Sequence, residues 1–332
     1  MENLLEIKHL KVSFFTPAGE VKAVNDISYT LGKGEILGVV GESGSGKSVT
    51  ASTVMGLVES PGRIVGGSVI FDGKDVTKMS KQEIRSLRGR EIGMIFQDPM
   101  TSLNPVYTIG AQIKEGLKLY YGLKGKEADK KAIELLKLVS INEPERRLKQ
   151  YPHEFSGGMR QRVMIAMALA GNPKMLIADE PTTALDVTIQ AQILEIIKEL
   201  QKKINMSVML ITHDLGIVAD KADKVVVMYG GRIVESAPCE EIFRNPAHPY
   251  TIGLLNSIPK LDSSDPLVPI EGTPIDLLNP PKGCPFAQRC QKCMKVCLSH
   301  MPPYTKISEN HESACWLHDP RAKAAAGKEA VK

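Results

Sequence analysis

The sequence predicts an α/β fold with a mostly parallel sheet. Three observations carry this expectation. Short apolar runs recur at Glu35-Ile36-Leu37-Gly38-Val39-Val40, Ile92-Gly93-Met94-Ile95-Phe96, Lys174-Met175-Leu176-Ile177-Ala178 and Val208-Met209-Leu210-Ile211-Thr212. Their length suits strands buried on both faces. Segments of helical periodicity separate them, as in chains that build parallel sheets. Each run also ends in groups able to do chemistry: a glycine-rich loop, Gln97, the carboxylates Asp179 and Glu180, and His213. In open α/β sheets that end of the strands faces the ligand crevice.

The first run leads into Gly41-Glu42-Ser43-Gly44-Ser45-Gly46-Lys47-Ser48, which fits the phosphate-cradling pattern G-x-x-x-x-G-K-[ST]. Glycines let successive backbone N–H groups turn inward around phosphates, and the helix expected from Val49 to Val58 adds the positive end of its dipole. In that setting Lys47 reaches the β- and γ-phosphates, and the Ser48 hydroxyl ligates Mg²⁺. The expected core is therefore that of a P-loop NTPase.

Composition sets the bounds. A chain of 332 residues suggests one large or two modest domains, and 42% hydrophobic with 24% charged residues is ordinary for a soluble globular protein. A net charge of +4 is too mild to argue for nucleic acid, and equally too mild to exclude an anionic membrane surface. No stretch reaches the ~18 apolar residues of a membrane span. The start, Met1-Glu2-Asn3-Leu4-Leu5-Glu6, carries acids where a secretion signal needs a basic segment, so a cytosolic protein is expected. Five of the six cysteines fall between Cys284 and Cys315. In a reduced compartment such a cluster reads as a metal-site candidate.

Residues 4–31 read as strands and turns, and Ser68-Val69-Ile70-Phe71 as a strand closed by the hairpin pair Asp72-Gly73, giving an antiparallel β subdomain. Phe14 in this lobe fits either stacking on adenine or packing in a small core. From Ile109 to about Arg147 apolar residues recur at helical spacing, which predicts an inserted helical subdomain. Ser156-Gly157-Gly158 precedes the helix from Met159 to Ala170 and reads either as an anion site or as a plain N-cap. Asp179 at a strand tip can hold Mg²⁺ through water, and Glu180 can polarise an attacking water. Beyond Glu240 proline density rises, which predicts a loop-rich extension with a short helix near Tyr250 to Leu255. The Ala/Lys-rich stretch after Arg321 reads as disordered.

Taken in order, these motifs resemble the nucleotide-binding subunit of ABC transporters over roughly residues 4–255. In that family two such domains meet head to tail with two ATP molecules between them. The resemblance implies a Walker A loop at Gly41–Ser48 continued by Val49, and a Q-loop at Gln97 that senses Mg²⁺ and the membrane partner. Ser156, Gly157 and Gly158 match the signature that grips the γ-phosphate held by the opposite subunit. Asp179 matches the Walker B acid, Glu180 the catalytic base, Asp186 the D-loop and His213 the switch histidine. Phe14 stands at the place of the adenine-stacking aromatic. Lys47, Gln97, Glu180 and His213 form the implied catalytic set, and Ser48, Gln97 and Asp179 the implied Mg²⁺ set. Phe155 and Met159 depart from the commonest signature, which has Leu and Gln, and Phe14 from the usual Tyr.

More finely, Phe155–Arg162, Thr101-Ser102-Leu103-Asn104-Pro105, His248-Pro249-Tyr250-Thr251 and the cysteine-bearing tail are similar to those of dipeptide/oligopeptide importer ATPases; nickel importers share most of them. This implies an ATPase at the cytoplasmic face of the membrane, peripheral to two polytopic permease subunits. It would pair with a second, related ATPase, depend indirectly on an external solute-binding protein and bind no nucleic acid. A soluble ABC ATPase acting on DNA or ribosomes is the rival class, and a regulatory iron–sulfur sensor with a vestigial ATPase is a third. The implied division is a nucleotide-binding domain at 1–255 with its helical subdomain at about 100–172, an extension at 256–320 and a tail at 321–332. Four thiolates from a short segment bind either Zn²⁺ or an iron–sulfur cluster. The family pattern matches Cys284, Cys290, Cys297 and Cys315, leaves Cys293 spare and implies a 4Fe–4S cluster. Zinc is the alternative, with His300, His311 or His318 as substitute ligands.

Overall fold

The computed structural model describes residues 2–97, 102–183, 185–258 and 269–322. Asp98 to Thr101 after the Q-loop, Ala184, Pro259 to Val268 and the Ala/Lys-rich stretch beyond residue 322 lie outside the described residues.

The chain opens with strands β1 (Asn3–Thr16), β2 (Gly19–Gly32) and β3 (Ile36–Val40), then helix α1 (Lys47–Val54). Strand β4 (Gly62–Phe71) turns through Asp72-Gly73, both at positive φ, into β5 (Lys74–Asp75), as the Asp-Gly pair dictates. Helix α2 (Lys81–Leu87) begins with a capping box in which Ser80 and Glu83 bond reciprocally, and β6 (Ile92–Ile95) follows. The helical stretch holds α3 (Ile109–Tyr121), α4 (Gly125–Leu138) and α5 (Pro144–Arg147). Thr108 caps the start of α3, and Gly122 ends it in the left-handed conformation. Then come α6 (Gly157–Ala168), β7 (Met175–Asp179), α7 (Val187–Ile204), β8 (Ser207–Thr212) and α8 (Leu215–Val218). Strands β9 (Lys224–Tyr229) and β10 (Arg232–Pro238) precede α9 (Cys239–Arg244) and α10 (Pro249–Asn256). The extension adds α11 (Lys295–Ser299), β11 (Thr305–Ser308) and β12 (His311–Ser313).

These elements form two compact units. One comprises Met1–Leu4, Leu31–Ile36 and Lys78–Ile211. In it β6, β7 and β8 run parallel, with Ile95 opposite Ala178 and Asp179 opposite Ile211. Every residue of β7 is buried, so each Leu or Ile there contributes about 1.5–3 kcal/mol of burial. The helical stretch has its own core of Ile109, Ile113, Leu117, Ala132, Leu136 and Val139.

The second unit comprises Leu5–Thr30, Leu37–Thr77 and Thr212–Lys332. It contains the antiparallel sheet β2-β1-β4-β5, and β3 lying parallel to β9 with Val40 opposite Val227. Strand β10 pairs antiparallel with β9, and β12 and β11 extend that edge. The extension was expected to be loop-rich with one short helix; instead it lends two strands to the sheet. Both are short and polar, so apolar alternation does not mark them.

A buried charge pair holds that edge. Glu235 of β10 and His311 of β12 are fully buried, 2.7 Å apart, with Nε2 donating to Oε1. Glu235 also accepts from the N–H groups of Ala247 at 2.7 Å and His248 at 2.8 Å, and Glu241 lies 3.4 Å from Nδ1 of His311. Burial alone would lower the His311 pKa, but its hydrogen bond to Glu235 and the negative charges of Glu235 and Glu241 outweigh this and raise it above 6.5. Burial alone would raise Glu235, but the bonds from His311 and the backbone outweigh this and lower it below 4.5. The imidazolium thus stabilises fully below pH 6.5 and less as pH rises through its folded pKa. The carboxylate stabilises above pH 4.5 and less as pH falls through its own. We expect His311→Gln to destabilise by on the order of 3 kcal/mol near pH 6, with the gap narrowing as pH rises through the raised folded pKa of His311. Melting curves check this, and a gap independent of pH contradicts it.

Candidate nucleotide site

In the second unit the loop after β3 is built by exclusion of side chains. A Cβ on Gly41 would lie 2.1 Å from the Met228 carbonyl oxygen, and one on Gly46 2.5 Å from that of Ala23. Gly44 and Gly46 hold φ of 77° and 99°, which favour glycine. Lys47 is buried and donates through Nζ to the carbonyls of Gly41 at 2.6 Å and Glu42 at 2.9 Å, and to Ser45 Oγ at 3.4 Å. Gly46 caps α1 with no side-chain hydrogen bond, and the first N–H groups of a helix can meet an anion. Ser43 and Ser48 are exposed and Val49 is half-buried. The helix expected to reach Val58 stops earlier, and Gly56 follows it at φ 61°.

Phe14 is half-buried and pairs with Gly62, where a Cβ would come within 2.7 Å of its ring; the ring lies across the bare backbone of β4. His213 is exposed beyond β8, and the next residue, Asp214, caps α8 by accepting from the Gly216 N–H at 2.7 Å.

In the first unit the carboxylates stand at the end of β7. Asp179 is 7% exposed. Glu180 takes φ 47°, a backbone state that side chains rarely adopt and that gathers at functional sites. Its Oε2 accepts from Gln97 Nε2 at 3.1 Å and from Thr183 Oγ1 at 3.0 Å. The structure therefore brings Gln97 to Glu180, a contact the sequence did not indicate. Thr183 was not foreseen as a partner; its signal was its place three residues after Glu180, the reach of a tight turn.

Ser156 caps α6, its Oγ accepting from the Met159 N–H at 3.4 Å. A Cβ on Gly158 would sit 2.6 Å from Cγ2 of Ile189 on α7, so the second glycine serves helix packing as well as any anion. Asp186 is exposed and caps α7, accepting from the Ile189 N–H at 3.0 Å.

The cysteines depart from expectation. Cys284, Cys290, Cys297 and Cys315 line one enclosed cavity of about 10 Å³, and Cys293 is exposed outside it. Burial foremost pushes the Cys284 thiol up to about 12 and Cys315 up to about 11. Among the described residues no group of three or more His, Cys, Asp or Glu side chains is arranged to hold a metal ion. As placed, the four thiols fit neither a 4Fe–4S cluster nor Zn²⁺, because no three of them are grouped as metal ligands, and a cavity of about 10 Å³ leaves no room for a four-iron cluster. The substitute histidines are engaged elsewhere: His300 Nδ1 lies 2.8 Å from Ser299 Oγ, His311 is bonded to Glu235, and His318 Nε2 lies 2.8 Å from the Ala247 carbonyl oxygen.

Comparison with known proteins adds to this geometry. The family profile described as ABC transporter matches residues 24–183, and that of the oligopeptide/dipeptide transporter C-terminal region matches residues 234–297. The chain is 56% identical over 332 residues to the oligopeptide transport ATP-binding protein OppD of Bacillus subtilis, covering 99% of this chain and 93% of that one. The chain belongs to the ATP-binding proteins of the ABC transporter family. Within this family it is also 53% identical to the dipeptide transport ATP-binding protein DppD of Bacillus subtilis, over 98% of both chains. Among solved structures it resembles the ATP-binding cassette MJ0796, captured as a dimer in a post-hydrolysis state with ADP and Pi. The TM-score is 0.64 and the identity 27%, covering 71% of this chain and 98% of that one. The ABC ATPase fold and its ATPase class are those the sequence led us to expect.

Gly158→Ala tests the helix contact. The added methyl meets Ile189, so a loss of about 1–3 kcal/mol is expected. Ile189→Ala in the same chain should return part of it. Unchanged melting of Gly158→Ala contradicts the packing assignment.

Proposed function

We propose that this chain is the ATP-hydrolysing subunit that drives import of oligopeptides or dipeptides through an ABC membrane complex. The observation that carries the reading is its 56% identity, over 99% of its length, to a protein named for oligopeptide transport. The match to the peptide transporter C-terminal region favours peptide over the nickel and nucleic-acid alternatives.

The residue roles follow the family resemblance. Lys47 and the N–H groups of the phosphate loop bind the β- and γ-phosphates. Ser48, Gln97 and Asp179 offer a hydroxyl, an amide oxygen and a carboxylate, an all-oxygen set that suits Mg²⁺. Mg²⁺ supplies charge neutralisation at the phosphates when bound. Glu180 takes the proton of the attacking water, and the bonds from Gln97 and Thr183 orient its carboxylate. His213 contacts the γ-phosphate, Phe14 stacks on adenine, and Ser156 with Gly157 and Gly158 caps the nucleotide of a second, related ATPase. Asp186 acts at that subunit boundary. Residues 1–255 act as the nucleotide-binding domain, with the helical subdomain of about 100–172 meeting two polytopic permease subunits at the cytoplasmic face. Residues 256–320 are the extension. An external binding protein delivers the solute.

A 4Fe–4S cluster at Cys284, Cys290, Cys297 and Cys315 belongs to this proposal only as a loaded form in which the thiols part. Its support is that all four line one cavity while Cys293 does not. Anaerobic reconstitution should then yield bound iron and acid-labile sulfide. Protein with neither, or with stoichiometric zinc instead, removes the cluster.

Deleting the gene should abolish uptake of labelled di- or oligopeptides and leave Ni²⁺ uptake intact; the reverse pattern refutes the peptide reading. Glu180→Gln should slow ATP turnover by about 10²-fold or more while retaining ATP binding. Near-normal turnover would assign the base elsewhere.

A further inference from the structure

The second residue of the phosphate loop is an acid. A carboxylate beside a site for a polyanion opposes binding unless a cation compensates it. The structure supplies that cation from far along the chain. Arg289, at the end of the short turn Ala287–Arg289, forms a fork on Glu42, with Nη1 to Oε2 at 2.6 Å and Nη2 to Oε1 at 3.1 Å. The Arg289 side chain is 5% exposed and that of Glu42 26%.

The remaining donors fix the arginine itself. Nε donates to the Glu271 carbonyl at 2.8 Å, Nη2 to the Ile270 carbonyl at 3.0 Å and Nη1 to Tyr229 Oη at 3.3 Å. All five N–H groups of the guanidinium are thereby used. Tyr250 grips the same loop residue from its backbone, accepting the Glu42 N–H at 2.8 Å. The Tyr229 and Tyr250 rings pack on Phe286, each at 5.3 Å, three residues before Arg289. The Glu42 carbonyl in turn accepts from Lys47 Nζ at 2.9 Å. A continuous set of contacts thus runs from Arg289 through Glu42 to the phosphate-binding lysine.

We propose that Arg289 is a positioning residue of the phosphate loop, neutralising and holding the Glu42 carboxylate so that the loop accepts a nucleoside triphosphate. The C-terminal extension is on this view part of the nucleotide site. The inference rests on the nucleotide reading of the loop and goes beyond it. Arginine is required, because an ammonium cannot fork onto a carboxylate while donating to two carbonyls and a phenol.

The test uses the full chain and measures ATP binding and steady-state hydrolysis. Arg289→Met keeps the packed stem and removes the charge; it should weaken ATP binding and raise KM about 10-fold, with kcat changed much less. Arg289→Lys should fall between Met and wild type. Adding Glu42→Gln to Arg289→Met should restore most of the affinity, because the uncompensated charge is then gone although the ion pair is still absent. A merely structural fastening predicts the opposite: lower melting, unchanged ATP affinity per folded molecule, and no rescue by Glu42→Gln. That outcome overturns the proposal. If Arg289→Met does not fold, Arg289→Lys with and without Glu42→Gln gives the same comparison, with rescue supporting the proposal and its absence overturning it. A wild-type chain that binds no ATP would defeat the nucleotide reading itself, a result distinguishable from all of these.

Discussion

One steric constraint underlies the rest of the structure: from Gly41 to Gly46 the backbone passes so close to neighbouring carbonyls that Cβ atoms are excluded at both ends. At 2.1 Å from the Met228 oxygen and 2.5 Å from that of Ala23, no rotamer choice relieves an added methyl. With side chains removed, the main chain itself becomes the recognition surface, and its N–H groups can turn toward one bound anion. Lys47 then has its reach defined, because the carbonyls that its Nζ bonds belong to the loop it serves.

The same logic of fixed backbone recurs at the carboxylates. Glu180 sits at a φ of 47°, and its N–H is tied to the Ile211 carbonyl at 2.9 Å on the neighbouring strand. That strain is sustained because parallel strands buried on both faces leave β7 no freedom to relax. The side chain inherits a set direction, and Gln97 and Thr183 hold its far end. A rigid scaffold positioning a few polar groups is what phosphoryl chemistry requires, since most of its catalysis is placement and charge stabilisation.

How much of this was legible depended on sequence distance. The loop from Gly41 to Ser48, the strand ends at Gln97 and Asp179, and the Asp72-Gly73 hairpin are local patterns whose physics acts over a few residues, so spacing alone revealed them. Arg289 and Glu42 lie 247 residues apart, and neither sits in a pattern that points to the other. The hairpin of β11 and β12 escaped because Thr305-Lys306-Ile307-Ser308 and His311-Glu312-Ser313 are too short and polar to show alternation. The cysteines show the converse. The family resemblance did select the four that share a cavity, but spacing says nothing about how far apart the sulfurs stand, and among the described residues no three of them are grouped as metal ligands. His311 looked like a spare ligand in sequence and proved to be half of a buried ion pair.

The most direct test of the central claim is an equilibrium titration of the purified chain with ATP in magnesium-containing buffer, set beside Lys47→Met. The account predicts saturable binding at one site per chain, lost or severely weakened in the lysine variant although it melts as the parent does. Equal affinity in the two proteins, or no binding in either, would contradict it.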